Sequence, residues 1–233
     1  MDGSEVEQCG NGVRCVTWML ARDAGGQTVF RLESAAGPVE ARMLPDGRVT
    51  VNMGAPVFEP ELIPFEATEA EKQYAIDLDG KTVTAAVLSM GNPHCVIEVA
   101  DVAAADVGTL GAHLESHDRF PARTNVGFMH IVDRGTIDLR VFERGVGETL
   151  ACGTGACAAT VAAHRRGRPA YLAARDRART TATRAMFDNL LDYLRKHTVI
   201  VERFGRYPHR NAILGRTSTE EERAFLTQPG SSF

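Results

Sequence analysis

The chain has 233 residues, 44% hydrophobic and 24% charged, with 26 basic against 30 acidic side chains and a formal charge of −4. That length suits one large domain or two small ones and builds a core without disulfides or a metal. The composition excludes a disordered, collagen-like or disulfide-dense chain. No apolar run is long enough for a membrane span, and the acidic opening Met1-Asp2-Gly3-Ser4-Glu5 carries no secretory signature. Five cysteines with no repeated short spacing read as free thiols in a reducing cytoplasm. Charge is uneven: residues 1–164 hold 12 basic and 23 acidic side chains (−11), and residues 165–233 hold 14 and 7 (+7). The basic part reads as a solvated helical surface, because no aromatic–basic stacking pattern or zinc spacing accompanies it. An acidic partner or nucleic acid is the alternative.

In chain order, the first element is a helix over 12–23, with Val13, Val16, Thr17 and Leu20 on one face and Gly25-Gly26 as its stop. Residues 27–60 alternate as strands through Val29, Leu32, Val39, Ala41, Val49, Val51 and Met53, with a hairpin signal at Asp46-Gly47. Strands follow over 81–100 around Gly91-Asn92-Pro93, then over Val126–Val132 and Thr136–Phe142, joined by Asp133-Arg134-Gly135. A second helix spans 155–166, small and apolar all round and therefore buried, stopped by Gly167. These two are the only strong helix signals before residue 165. Beyond 167 strand signals fade. A helical pattern over 184–204 places Phe187, Leu190, Leu191, Leu194 and Val201 on one side and ends at Gly205 and Pro208. Ser218 and Glu221 read as a capping box for a last helix through Phe225-Leu226. A boundary falls near 165–170.

One device occurs twice. Cys9-Gly10-Asn11-Gly12 precedes the first helix and Cys152-Gly153-Thr154-Gly155 precedes the second. The first N–H groups of a helix have no internal partner, and the dipole favours negative charge there. A cysteine at that place is expected to be a better thiolate than a free one, and glycine lets a ligand approach the backbone. Two such ends facing one another would hold a carboxylate and set one sulfur on each side of its α-carbon. One thiolate takes the α-proton and the other thiol returns one to the opposite face, with no metal and no cofactor. Alternatives remain open: each cysteine could be a small buried residue, or the two thiols a redox pair. Cys15 and Cys157, inside the helices, read as core, and Cys95 as buried on a strand.

Residues 1–165 closely resemble diaminopimelate epimerase. The shared runs are Asp2-Gly3-Ser4-Glu5, Gln8-Cys9-Gly10-Asn11-Gly12, Val51-Asn52-Met53-Gly54, Ser89-Met90-Gly91-Asn92-Pro93-His94-Cys95, Leu114-Glu115-Ser116-His117, Asn125-Val126-Gly127-Phe128, and Phe142 through Thr149 into Ala151-Cys152-Gly153. The resemblance implies a pyridoxal-independent enzyme of lysine and peptidoglycan-precursor synthesis that interconverts LL- and meso-diaminopimelate. It implies Cys9 and Cys152 as the acid/base pair. Gly10, Asn11, Gly153 and Thr154 would cradle the reacting carboxylate. Asn92, Asn125 and Arg144 would hold the far end of the substrate, with Glu143 near the reacting amino group. His94 and Glu143 would tune the thiols. The residue types suit these tasks: arginine grips a carboxylate with two hydrogen bonds, and asparagine offers a donor and an acceptor.

The resemblance also implies further strands before the equivalent of Asp2 and after the second helix. In their place, 175–233 resembles the C-terminal end of a helical, tetratricopeptide-like bacterial family of unassigned function, through Arg203-Phe204-Gly205-Arg206-Tyr207-Pro208-His209-Arg210-Asn211, Leu214-Gly215-Arg216, Ser218-Thr219-Glu220-Glu221 and Phe225-Leu226. The chain reads as a fusion of two fragments. The expected fold is α+β: two pseudo-symmetric halves, each a curved sheet around a central helix, the first truncated, then an all-α tail. The expected divisions are 1–52, 53–167 and 168–233. The expected activity is cofactor-independent epimerisation of a small amino-acid substrate in the cytoplasm, without nucleic acid or membrane, in a homodimer. As a truncated chain it is expected to show little or no epimerase activity and to leave the helix over 12–23 partly uncovered. The competing readings are a non-catalytic helical interaction protein carrying an epimerase relic, and a proline-racemase-like enzyme.

Overall fold

The computed structural model describes residues 7–23, 25–78, 80–133, 135–204, 206–213, 215–229 and 231. The Asp2–Glu5 run, Arg134, Gly205, Leu214 and the side chain of Leu194 lie outside the described residues. The fold is α+β and divides into two compact units, residues 1–163 and 164–233.

The first unit opens with helix α1, Gly10–Asp23, two residues earlier than its apolar pattern predicts, because both glycines of the Cys-Gly-Asn-Gly run are absorbed into or beside its first turn. Strands β1 (Val29–Ser34), β2 (Gly37–Met43) and β3 (Val49–Val51) form an antiparallel sheet, with the turn at Asp46-Gly47 between the last two. Phe30, Val39 and Ala41 point inward, while Val29 is exposed, so Phe30 rather than Val29 carries the alternation of β1. On α1 only Thr17 is fully covered among the side chains of the predicted face. Val16 and Leu20 are 45% and 42% exposed, as are Trp18 and Met19 beside them at 47% and 63%. Cys15 is exposed too, which corrects its reading as core: it lies on the side of α1 that no strand covers.

The second sheet runs β4-β5-β6-β7-β8-β9. Its strands are β4 (Tyr74–Leu78), β5 (Lys81–Ser89), β6 (Pro93–Glu98), β7 (Asn125–Ile131), β8 (Ile137–Glu143) and β9 (Gly147–Thr149). All neighbours are antiparallel except β6 and β7, which pair in parallel. A parallel pair needs a crossover, and it holds helix α2, Val107–Glu115, capped by the Asp106 side chain accepting from Thr109 N–H. This third helix in the unit escapes a pattern search, since it has only nine residues and two glycines.

Helices on both sides bury both faces of β6 and β7. Cys95, Ile97, Val126 and Phe128 pack with Val107 and Leu114 of α2. Val96 and Met129, on the opposite face, pack with Ala158, Ala159 and Ala162 of helix α3, Gly153–Arg177. That double burial is why the central strands read as continuous apolar runs. Alanines let α3 lie close on the sheet, yet Ala156 and Thr160 form an exposed stripe, so the helix is not buried all round as expected. Nor does Gly167 stop it: the helix continues to Arg177, past both Gly167 and Pro169.

The second unit is helical. Helix α4, Thr181–Phe204, half-buries Phe187, Leu190, Leu191 and Val201 and fully buries Ile200. Helix α5, Glu220–Leu226, meets it through Phe204 and Phe225, whose ring centroids are 4.9 Å apart. The capping box of α5 is Thr219 with Glu222, one residue beyond the predicted pair. Ser218 instead accepts a hydrogen bond from Asn211 Nδ2 at 3.1 Å, which the sequence does not reveal.

Candidate active site at two helix starts

Cys9 and Cys152 are the N-cap residues of α1 and α3. Each carbonyl accepts the first helical hydrogen bond, from Val13 N–H at 2.9 Å and Ala156 N–H at 3.0 Å. Each sulfur accepts from the N–H three residues on, Gly12 to Cys9 Sγ at 3.3 Å and Gly155 to Cys152 Sγ at 3.4 Å. The repeated Cys-Gly-x-Gly run is thus one capping geometry made twice, in which sulfur takes the place usually held by a serine or aspartate oxygen.

The two helix starts meet. A Cβ added at Gly10 would lie 3.4 Å from Gly153 Cα, and one added at Gly153 would lie 3.4 Å from Gly10 Cα and 3.8 Å from Asn11 N. A methyl group in either place would already be in van der Waals contact with the other helix start. Asn11 Nδ2 donates to Ala151 O at 2.9 Å and ties α1 to the residue before Cys152. The amides of Gly10, Asn11, Gly153 and Thr154, which have no acceptor within their helices, are therefore gathered where the two helix starts meet.

The thiols differ in surroundings. Cys9 is exposed and Cys152 is buried. Burial pushes the Cys152 thiol above its ordinary value. Hydrogen bonds from Thr154 and Gly155 act the other way, and the Glu143 carboxylate adds to the rise. The expectation that a helix start makes this cysteine a better thiolate is therefore corrected: desolvation outweighs the amide.

The diaminopimelate epimerase family profile matches residues 86–176. Over 163 residues the chain is 55% identical to the diaminopimelate epimerase of Pseudomonas syringae pv. tomato, across 70% of this chain and 59% of that protein. Over 167 residues it is 54% identical to that of Ectopseudomonas mendocina, across 71% of this chain and 60% of that protein. The matched stretch is similar in sequence to diaminopimelate epimerases. The chain spans about three fifths of the length of these relatives. Residues 159–230 match a second profile, described as "Bacterial protein of unknown function (DUF924)". A crystal structure of a probable proline racemase from Agrobacterium radiobacter K84 with bound carbonate superposes with a TM-score of 0.50 at 21% identity, covering 69% of this chain and 53% of that one. That likeness is one of fold.

Within the epimerase segment, the other residues singled out from the sequence converge around Cys152. Asn92, His94 and Asn125 come from the ends of β6 and β7, where the parallel pair brings His94 opposite Asn125. Asn125 is held in place by the protein: Nδ2 donates to Pro93 O at 2.9 Å and Oδ1 accepts from Arg144 N–H at 3.1 Å. Glu143 accepts from the Thr149 hydroxyl across the turn between β8 and β9. Arg144 donates to Ala122 O at 2.9 Å and is ion-paired with Glu7. Partial burial pushes the Glu7 carboxyl up, but the Arg144 hydrogen bond and charge, with a backbone hydrogen bond, hold it below the usual carboxylate range. His94 is buried and its pKa falls to about 3, through loss of solvent and then the Arg144 charge, so its ring is neutral.

Glu7, Thr149 and Glu115, whose carboxylate accepts from Gly145 N–H at 2.6 Å, hold the site but were not found from the sequence. Each acts across a long separation or a turn, where residue type alone carries no signal. A cavity of about 580 Å³ lies next to the site, lined by Gln8, Asn52, Met53 and Gly91 among others but by neither cysteine. Met53 links the two, its Cε 3.4 Å from the Cβ position of Gly10.

Proposed function

We propose that this chain carries a two-thiol amino-acid epimerase site that interconverts LL- and meso-diaminopimelate. The observation that supports this best is the pair of cysteine-capped helix starts in contact at Gly10 and Gly153. The substrate assignment rests on the relatives that bear the epimerase name. The three-stranded sheet with α1 and the six-stranded sheet with α3 act as counterpart halves, each supplying one thiol.

The substrate α-carboxylate sits on the free amides of Gly10, Asn11, Gly153 and Thr154, which also stabilise the charge that spreads into it when the α-proton leaves. Because burial keeps Cys152 protonated, Cys152 is the donor in one direction and Cys9 the base. The Cα–H bond breaks as Cys9 sulfur takes the proton, and its electron pair delocalises into the carboxylate. The Cys152 S–H bond then breaks as a new Cα–H bond forms on the opposite face. The reverse reaction exchanges the roles. Glu143 lies near the reacting amino group, and Arg144, Asn92 and Asn125 shape the end that recognises the second amino-acid terminus. Free thiols suit a cytoplasmic enzyme.

The test is incubation with LL-diaminopimelate in deuterated water. The chain should wash deuterium into the α-position and produce the meso form. Cys9→Ala and Cys152→Ala should each lower inversion at least 10²-fold, since each face needs its own proton carrier. Full inversion by either single variant would overturn the two-thiol reading, and absence of any exchange by the parent chain would overturn the assigned activity.

A further inference from the structure

A line of four buried polar groups ends on Cys152. His94, Asn92 and Thr154 are each at least 90% buried. Asn92 Oδ1 lies 3.0 Å from His94 Nε2, and Asn92 Nδ2 lies 3.4 Å from Thr154 Oγ1. Thr154 Oγ1 in turn lies 3.4 Å from Cys152 Sγ. The chemistry of the groups fixes the direction of the first two contacts. An amide nitrogen only donates, so Asn92 Nδ2 occupies a lone pair of the Thr154 hydroxyl. An amide oxygen only accepts, so neutral His94 must carry its proton on Nε2. The Thr154 hydrogen is free to turn to Cys152, and Thr154 must be the donor when that sulfur is a thiolate, which has no hydrogen to give. With the thiolate the donors therefore run from His94 to Asn92, from Asn92 to Thr154 and from Thr154 to sulfur.

We infer that Thr154 sets the proton affinity and aim of the Cys152 thiol through this hydrogen bond, and that Asn92 and His94 are positioning residues that hold the Thr154 hydroxyl in its donating orientation. Sulfur receives two donors from the α3 side, Thr154 Oγ1–H and Gly155 N–H. Both favour the thiolate, and the Gly155 amide, which can only donate, turns the S–H of the thiol form away from itself. From β8, Glu143 faces the same sulfur and favours the thiol. Burial first, and then the charge of Arg144, next along, keep His94 neutral. The exposed Cys9 caps α1, whose start touches that of α3 at Gly10 and Gly153. The hydroxyl and the carboxylate thus oppose one another across one sulfur, which suits a group that must hold and release a proton in each cycle. The catalytic meaning of this arrangement rests on the epimerase reading, but the arrangement itself can be tested without turnover.

The experiment is the pH dependence of iodoacetamide alkylation at Cys152 in the whole chain, followed on its own peptide by mass spectrometry, with the Cys9 peptide as an internal reference. Thr154→Val should raise the Cys152 midpoint by about one unit, a tenfold loss of thiolate at a given pH below it. Thr154→Ser should restore the parent midpoint to within a few tenths, and Asn92→Ala should raise it by a smaller amount with α3 intact by circular dichroism. An unmoved midpoint in Thr154→Val, or an equal shift in Thr154→Ser, would overturn the role of the hydroxyl. If Thr154→Val does not fold, Asn92→Ala decides, and an unmoved midpoint there overturns the relay. A shifted midpoint in a chain that does not turn over LL-diaminopimelate would leave this inference standing and remove the epimerase reading.

Discussion

His94 shows how a single residue couples the site to stability. It sits on β6, 1% exposed, with its Nε2 committed to Asn92. Its pKa is about 3 in the folded chain against an ordinary 6.5. Between those values the unfolded chain binds a proton that the folded chain refuses, so stability rises with pH across this window and falls as pH drops. The slope for one such group is about 1.4 kcal/mol per pH unit. Urea unfolding of the first unit should therefore weaken steadily from about pH 6.5 downward, and His94→Gln should flatten that slope even if it lowers stability overall. An unchanged slope in His94→Gln would show that another group carries the proton uptake. From the sequence alone His94 looks like an ordinary strand histidine beside a turn. Only the burial of both faces of β6 makes its protonation costly.

At the scale of the element, helix α2 is held against β8 by a glycine. A Cβ at Gly111 would fall 2.6 to 2.8 Å from the Cβ and ring carbons of Phe142, so either the helix or the ring would have to move. Gly108, three residues earlier in the same helix, has open space where its Cβ would go. Gly111→Ala should destabilise the first unit by about 1–3 kcal/mol through overpacking, against its gain in helix propensity. Gly108→Ala should stabilise it by up to about 1 kcal/mol, since only propensity changes. Urea midpoints of the two variants decide this, and equal effects would refute the packing argument. The shift also bears on the site, because Phe142 directly precedes Glu143, the last residue of β8, and Arg144 after it. The same helix marks where local reading stops. Its nine residues give too few turns for a clear apolar period, and Gly111 lowers its propensity for a reason found only in Phe142.

For the whole molecule, the two compact units lose stability to acid in different pH ranges. In the second, Glu222 is 2% exposed and accepts from Arg206 at 2.5 and 2.8 Å and from Asn211 at 3.2 Å. The Arg206 hydrogen bond holds its carboxyl below the ordinary carboxylate range, against the opposing effect of burial. A depressed carboxyl contributes stability above the unfolded pKa and loses it as pH falls through the folded value. Its effect is thus confined to pH below about 4.5. The first unit weakens from about pH 6.5 through His94. Hydrogen exchange during a stepwise fall in pH should show β5 to β7 losing protection before α4 and α5. At neutral pH, α1 and β1 to β3 should exchange faster than β5 to β7, since Val16, Trp18, Met19 and Leu20 are left exposed on α1 while β6 and β7 are covered on both faces. Uniform protection across the first unit would contradict this.

The sequence by itself determined what depends on neighbours along the chain. Alternation and turn residues placed β2, β3 and β5 to β8, apolar period and Gly-rich starts placed α1 and α3, and the doubled Cys-Gly-x-Gly run placed both thiols on helix N-caps. The tertiary structure alone decided what depends on distant contacts. It set the touch of Gly10 and Gly153, the pairing of Arg144 with Glu7, the line from His94 to Cys152, and the exposure of Cys15 on a helix whose period alone cannot say which side is covered. The cause is physical. Backbone preference and apolar period act within a few residues, whereas desolvation and hydrogen-bond direction depend on which groups the packed chain brings together. At Cys152 the local amides favour a thiolate, and the surrounding protein, by excluding water, reverses the sign.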